Sequence, residues 1–250
     1  MDLGIGGKRA AVAAATGGLG YACAQALAAE GADVMICGSD PGRAQAAAAR
    51  LGGDTRWTVA DLTEPPEAAR FVAAAAEALG GVDILVVNGP GPAPGTVAQT
   101  PAQAYQAALD SSLLAVVQMC LAAVPAMRAN RWGRIVAVTS LGVRQPYPNL
   151  ALSNAARAGA TGFLRTLARE IAADGVTVNS VQPGLHATDR VRSVYGDGER
   201  LAAALATVPA GRLGEPAGLG ALVAFLCSEQ AGYLTGAAIP VDGAAYQGLL

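Results

Sequence analysis

A single α/β domain, a doubly wound seven-stranded parallel sheet with helices on both faces, is the fold that this 250-residue sequence predicts. Three observations point to it. Short β-branched runs alternate along the chain with longer Ala- and Leu-rich segments, the order expected of β-α units. The runs are continuously apolar rather than alternating, as in Ile84-Leu85-Val86-Val87, which is the pattern of strands buried on both faces. The length suits one compact unit and no repeat or linker interrupts it, so residues 1–250 are read as one domain.

Taken in order, strands are expected over residues 9–14, 33–37, 56–59, 83–88, 133–139, 177–181 and 238–241. Apolar residues at three-to-four spacing predict helices between them, over 20–30, 42–51, 66–79, 102–129, 151–173 and 216–228. Two segments break this scheme. Residues 89–95, Gly-Pro-Gly-Pro-Ala-Pro-Gly, follow the fourth strand and predict a loop over the carboxyl edge of the sheet, where ligands of such folds bind. Residues 185–212 follow the sixth strand and are polar at their centre, Tyr195-Gly196-Asp197-Gly198-Glu199-Arg200, which predicts a mobile substrate lid.

Composition narrows the function. Hydrophobic residues make up 52% and charged ones 14%, with mean hydropathy +0.36, so there is ample material for a core. A net charge of −2 and 4% aromatics offer neither a basic face for a phosphate backbone nor a stacking platform, and nucleic acid is not an expected partner. The stretches taken as most apolar, such as 113–117 and 221–227, are core-sized, and the start lacks an apolar signal region, so a soluble, cytoplasmic protein with no membrane partner is expected. Cys23, Cys37, Cys120 and Cys227 are far apart, His186 is the sole histidine, and no metal site is expected. Lys8 is the sole lysine.

The first strand runs into Ala13-Ala14-Ala15-Thr16-Gly17-Gly18-Leu19-Gly20 and then at once into a helix. Glycines in such a turn let the backbone approach a diphosphate, and the helix start offers free N–H groups and partial positive charge. Taken alone they also fit an ordinary tight turn. Further pieces follow in order: Val59-Ala60-Asp61-Leu62, Asn88-Gly89-Pro90-Gly91, Trp132-Gly133-Arg134-Ile135-Val136, Val178-Asn179-Ser180-Val181-Gln182-Pro183-Gly184 with Thr188, Tyr233-Leu234-Thr235-Gly236 and Val241-Asp242-Gly243. In this combination the chain resembles the short-chain dehydrogenase/reductase family, especially its 3-oxoacyl-acyl-carrier-protein reductase branch, over essentially its whole length.

The resemblance implies a Rossmann fold that binds a pyridine dinucleotide. Thr16, Gly17, Gly18, Leu19 and Gly20 would form its diphosphate turn, with Ala14 where the family's first glycine stands. Asp61 and Leu62 would lie at the adenine, Asn88 at the end of the fourth strand, and Pro183, Gly184 and Thr188 at the nicotinamide. At the end of the second strand the acid typical of NAD-selective members is absent, since Gly38 stands there. Neither Ser39 nor Gly17 is basic, yet Ser39 could donate to a 2′-phosphate and Arg43 could swing toward it, whereas Asp40 argues the other way. NADP(H) is slightly favoured over NAD(H). Ser39 and Asp40 read equally well as ordinary caps of the helix that starts at Pro41.

Reduction of a carbonyl needs a proton donor near the oxygen and a group that orients it. The family uses a serine, a tyrosine and a lysine. Ser140 fits the serine, but thirteen residues on stands Ser153 and four further Arg157, while Ser112 replaces the usual asparagine. A serine hydroxyl is far less acidic than a phenol, though it could hold a water. Arg157 could hold ribose hydroxyls but cannot shuttle a proton as lysine can. Substitute acids are Tyr147, on the loop after the fifth strand, and His186, which titrates near neutrality. Arg144 could polarise a carbonyl and Tyr195 could touch substrate from the lid. The bland reading of Ser153 and Arg157 is that they merely line an emptied pocket.

The expected activity is therefore NAD(P)(H)-dependent reduction of a small-molecule carbonyl substrate, a ketone or 3-oxoacyl-like compound, with a non-standard proton relay. A non-redox dehydratase, isomerase or cyclase, or a silent nucleotide-binding protein, remain as alternatives on the same scaffold. Small residues at helical spacing, Ala151, Ala155, Ala158, Gly159 and Gly162, allow close approach of another backbone. By resemblance they imply a homodimer or homotetramer. The alternative is that they pack on the protein's own sheet.

Overall fold

The computed structural model describes residues 2–249. Its seven strands form one parallel sheet in the order β3-β2-β1-β4-β5-β6-β7: β1 (Arg9–Val12), β2 (Asp33–Gly38), β3 (Arg56–Val59), β4 (Ile84–Val87), β5 (Gly133–Val138), β6 (Val176–Pro183) and β7 (Ala238–Val241). The helices are α1 (Gly18–Ala29), α2 (Pro41–Leu51), α3 (Pro65–Leu79), α4 (Ala104–Leu109), α5 (Ala115–Ala129), α6 (Ala151–Ile171), α7 (Asp189–Tyr195), α8 (Glu199–Leu205) and α9 (Pro216–Leu226). Strand order reverses between β1 and β4, so a crevice opens beyond their carboxyl ends.

The continuous apolar runs divide by parity. Leu85 and Val87 enter a core with Phe71, Met119 and Leu164 under α3, α5 and α6, whereas Ile84 and Val86 enter a second core with Leu27, Leu219 and Val223 under α1 and α9. Each fully buried aliphatic side chain of this kind stabilises the fold by about 1.5–3 kcal/mol, so the sheet is a rigid platform for whatever its edge carries.

Three expectations are corrected. The helix expected over 102–129 carries a π-helical stretch, Asp110–Leu114, between α4 and α5. At this stretch Ser111 Oγ donates to the Ala107 carbonyl at 2.9 Å. The whole of Ala104–Ala129 is also long and apolar enough to cross a membrane by length and composition, contrary to the reading that no stretch is. Its inner face is part of the core on α3, so the apolar length is that of a packed helix. Last, the polar segment 185–212, which falls outside the regular helices that were expected, holds two short helices, α7 and α8. Of the small-residue stripe, Ala151 is buried, but Ala155, Ala158, Gly159 and Gly162 are exposed, so they do not pack on the sheet.

Candidate active site

A cleft of about 510 Å³ occupies the crevice at the strand-order reversal, within the size range of small-molecule sites. One bank is the turn from β1 to α1. Gly17 caps α1 without any side-chain hydrogen bond, unlike α2, where the Asp40 carboxylate accepts from Arg43 N at 2.7 Å. Among the described residues no side chain caps the first N–H groups of α1. Nothing lies within 4 Å of where a Cβ of Gly17 would stand, and Gly18 turns at φ +55°. Gly20 is different: it does not line the cleft, and a Cβ there would meet the Ala14 carbonyl oxygen at 2.4 Å. Its role is to let α1 sit on the β1 end.

Asn88 crosses the reversal point, its Nδ2 donating to the Ala14 carbonyl at 3.2 Å. Thr16, Gly17, Gly18, Leu19, Ser39, Arg43, Asp61, Leu62, Asn88, Pro183, Gly184 and Thr188 all line the cleft. Bonds from the Thr63 backbone N–H and hydroxyl to Asp61 Oδ1 hold its carboxyl below the ordinary range. These residues fit a dinucleotide: an open glycine turn, uncapped N–H donors and an acid sit along one groove.

The opposite bank carries Ser140, Ser153, Arg157, His186 and Tyr195. Ser140 Oγ accepts from Gly142 N at 3.0 Å, which engages one lone pair and leaves its O–H to donate. Arg157 Nη1 donates to the carbonyls of Val138 at 2.9 Å and Thr139 at 3.2 Å, so the guanidinium grips the strand end that presents Ser140. Burial, and then repulsion from Arg190, draw it down to about 10. Ser153 is buried in the first turn of α6. Arg190 also lines the cleft, donating to the Pro92 carbonyl. It falls in the polar segment 185–212, and no local sequence pattern marks its reach across to the loop after β4.

Four candidates sit differently from expectation. Ser112, buried in the π-helical stretch, lies on a separate void of about 10 Å³ and not on the main cleft; among the described residues its Oγ has no hydrogen-bond partner. Tyr147 is not on the cleft wall either, and burial, with Tyr195 and Asp242 nearby, pushes its phenol up to about 12, away from a neutral-pH proton donor. Arg144 is pinned outside, over the Tyr246 ring at 5.5 Å and donating to the Ala238 carbonyl at 2.8 Å. His186 does line the cleft but is buried, with Nδ1 3.3 Å from the Gly184 carbonyl and its ring against Gly214. Burial lowers its pKa, outweighing the Gly184 carbonyl and Glu215. It braces the Pro183-Gly184 turn as a neutral ring.

The enoyl-(acyl carrier protein) reductase family model matches residues 13–244. The chain belongs to the short-chain dehydrogenase/reductase family. It is 34% identical over 244 residues to the 3-oxoacyl-[acyl-carrier-protein] reductase of Vibrio cholerae, covering 98% of this chain and 99% of that protein. Among solved structures, L-sorbose reductase from Gluconobacter frateurii, complexed with NADPH and L-sorbose, matches at TM-score 0.93 and 29% identity, with all of both chains covered. A 3-oxoacyl-(acyl-carrier-protein) reductase from Agrobacterium tumefaciens with NADP bound matches at 0.90 and 31%, covering 97% of this chain and 95% of that one.

Proposed function

We propose that this protein is an NADP(H)-dependent carbonyl reductase acting on a ketone or 3-oxoacyl-like substrate, with a proton relay that does not use a phenol at position 153. The observation that carries this reading is one cleft shared by the uncapped Gly17–Leu19 turn and the Ser140 hydroxyl. When bound, the nicotinamide would supply the hydride. Preference for the phosphorylated nucleotide is supported by the missing acid at Gly38, by Arg43 on the same wall, and by the NADPH- and NADP-bound relatives.

The chain's own groups would act as follows. The α1 N–H donors hold the diphosphate, and Asp61 accepts from the adenine amino group. The Ser140 O–H, aimed by the Gly142 N–H on its lone pair, donates to the substrate oxygen and polarises the carbonyl. Arg157 fixes the strand end that carries Ser140. Ser153 orients water that brings in the proton, since its own hydroxyl does not ionise near neutrality. The reading implies slower chemistry than a phenol acid would give.

The test is NADPH oxidation with a panel of ketones and 3-oxoacyl esters. Consumption that depends on the carbonyl supports the proposal, and no turnover with any member overturns it. Product formed without net change in the nucleotide would point to the non-redox alternative. Self-association is proposed through α5 and α6, whose outer faces expose Leu121, Ala155, Ala158 and Gly162 together. Gly162→Arg should then shift a dimer or tetramer toward monomer in light scattering.

A further inference from the structure

Two guanidinium groups share the wall of the cleft with no acid to balance them. Arg190 comes from α7 and lies against Gly91, where a Cβ would stand 3.1 Å from its guanidinium carbon. Arg157 comes from α6 and spends only Nη1 on the Val138 and Thr139 carbonyls. Among the described residues neither forms an ion pair. The cleft's two carboxylates are engaged elsewhere, Asp61 with Thr63 and Asp189 with Arg192, the Asp189 side chain being 99% exposed. Burial disfavours both cations, and each lies below the usual arginine range, Arg157 also through repulsion from Arg190. Like charges in a partly dewatered cleft repel, and an anion between them relieves that cost.

We propose that Arg157 and Arg190 together bind an acidic group on the substrate, so that the preferred substrate is an oxo acid rather than a neutral ketone. The inference rests on the reductase reading of the same cleft. A diphosphate has the same chemistry, but the contacts of this pair argue for the substrate. They reach Gly91 and Pro92 after β4 and the strand end before Ser140, whereas the uncapped turn belongs to α1. Guanidinium forks suit a planar carboxylate.

Calorimetry on the full chain saturated with NADP⁺, where no turnover occurs, would compare acetoacetate with methyl acetoacetate. Wild type should bind the acid about tenfold tighter than the ester, a charge-assisted difference. Arg190→Gln should erase most of that preference, Arg190→Lys should keep part of it, and NADP⁺ affinity should move less than about threefold in both. Equal affinity for acid and ester, or no measurable acetoacetate binding, overturns the proposal. So does an Arg190→Gln protein that weakens NADP⁺ as much as acetoacetate, since the cation would then serve the diphosphate. Failure of wild type to bind NADP⁺ would sink the reductase reading instead, and the acid-over-ester preference on nucleotide-free protein would still decide this one.

Discussion

Thr16 stands over Gly38: a Cβ at Gly38 would lie 2.3 Å from the Thr16 Cγ2, so a larger residue there requires Thr16 to turn aside. The end of β2 is where a carboxylate would select NAD by accepting from the ribose 2′-OH. Gly38 supplies no carboxylate at that position, while Arg43 stands on the same wall of the cleft. Asp40, the residue that argued for NAD, is occupied as the cap of α2.

Arg43→Ala should therefore weaken NADPH by about tenfold or more, the value of one charge-assisted bond to a phosphate, and leave NADH nearly unchanged. Titration of both nucleotides against both proteins checks this. Equal loss for the two would remove Arg43 from any 2′-phosphate site.

Ala14 stands at φ +47°, in the left-handed region where a Cβ is strained. A glycine, the residue that the resemblance implies for this position, would avoid that strain. Ala14→Gly should raise stability by about 0.5–1 kcal/mol, read as a higher urea midpoint at unchanged slope. A lower midpoint would show that the greater freedom of the unfolded glycine chain outweighs the relieved strain.

Much of the fold was legible because parity and periodicity are local: Ile84 and Val86 go to one core and Leu85 and Val87 to the other, as a doubly covered strand requires. The nucleotide bank was legible for a similar reason, since turn and cap are set by neighbours in sequence. What escaped depends on distant partners or on local competition. Arg190 meets Pro92 across a separation of 98 residues, the Tyr147 phenol is raised by burial and by Tyr195 and Asp242 far along the chain, and Ser112 falls in the π-helical stretch and off the cleft.

His186 is held neutral by burial, so its folded pKa lies below the unfolded value of about 6.5. The unfolded chain then binds the proton more readily. Stability from this residue is complete above about pH 6.5 and is lost as pH falls toward the folded pKa. His186→Gln should flatten the difference in urea midpoint between about pH 7.5 and 5.5, while kcat changes only a few-fold. A loss of activity of about 100-fold or more with folding intact would restore His186 as an acid.

Ser153 and Arg157 decide whether the chemistry is slow because the acid is missing. Ser153→Tyr alone adds a phenol, but Arg157, held to the Val138 and Thr139 carbonyls through Nη1, stays protonated, so it cannot pass a proton on. The single change should gain little. With Arg157→Lys added, an ammonium replaces the fork, lowers the phenol pKa by its charge and exchanges protons with water. The double variant should raise kcat for ketone reduction at pH 7 by about 100-fold, the lower end of what a positioned acid contributes. Arg157→Lys alone is the control, since it gives up one of the two strand-end bonds, at a cost of about 1 kcal/mol in stability. If the double variant folds, binds NADPH and turns over no faster than wild type, the slow step is not proton delivery, and the cleft is either adapted to a different reaction or has none.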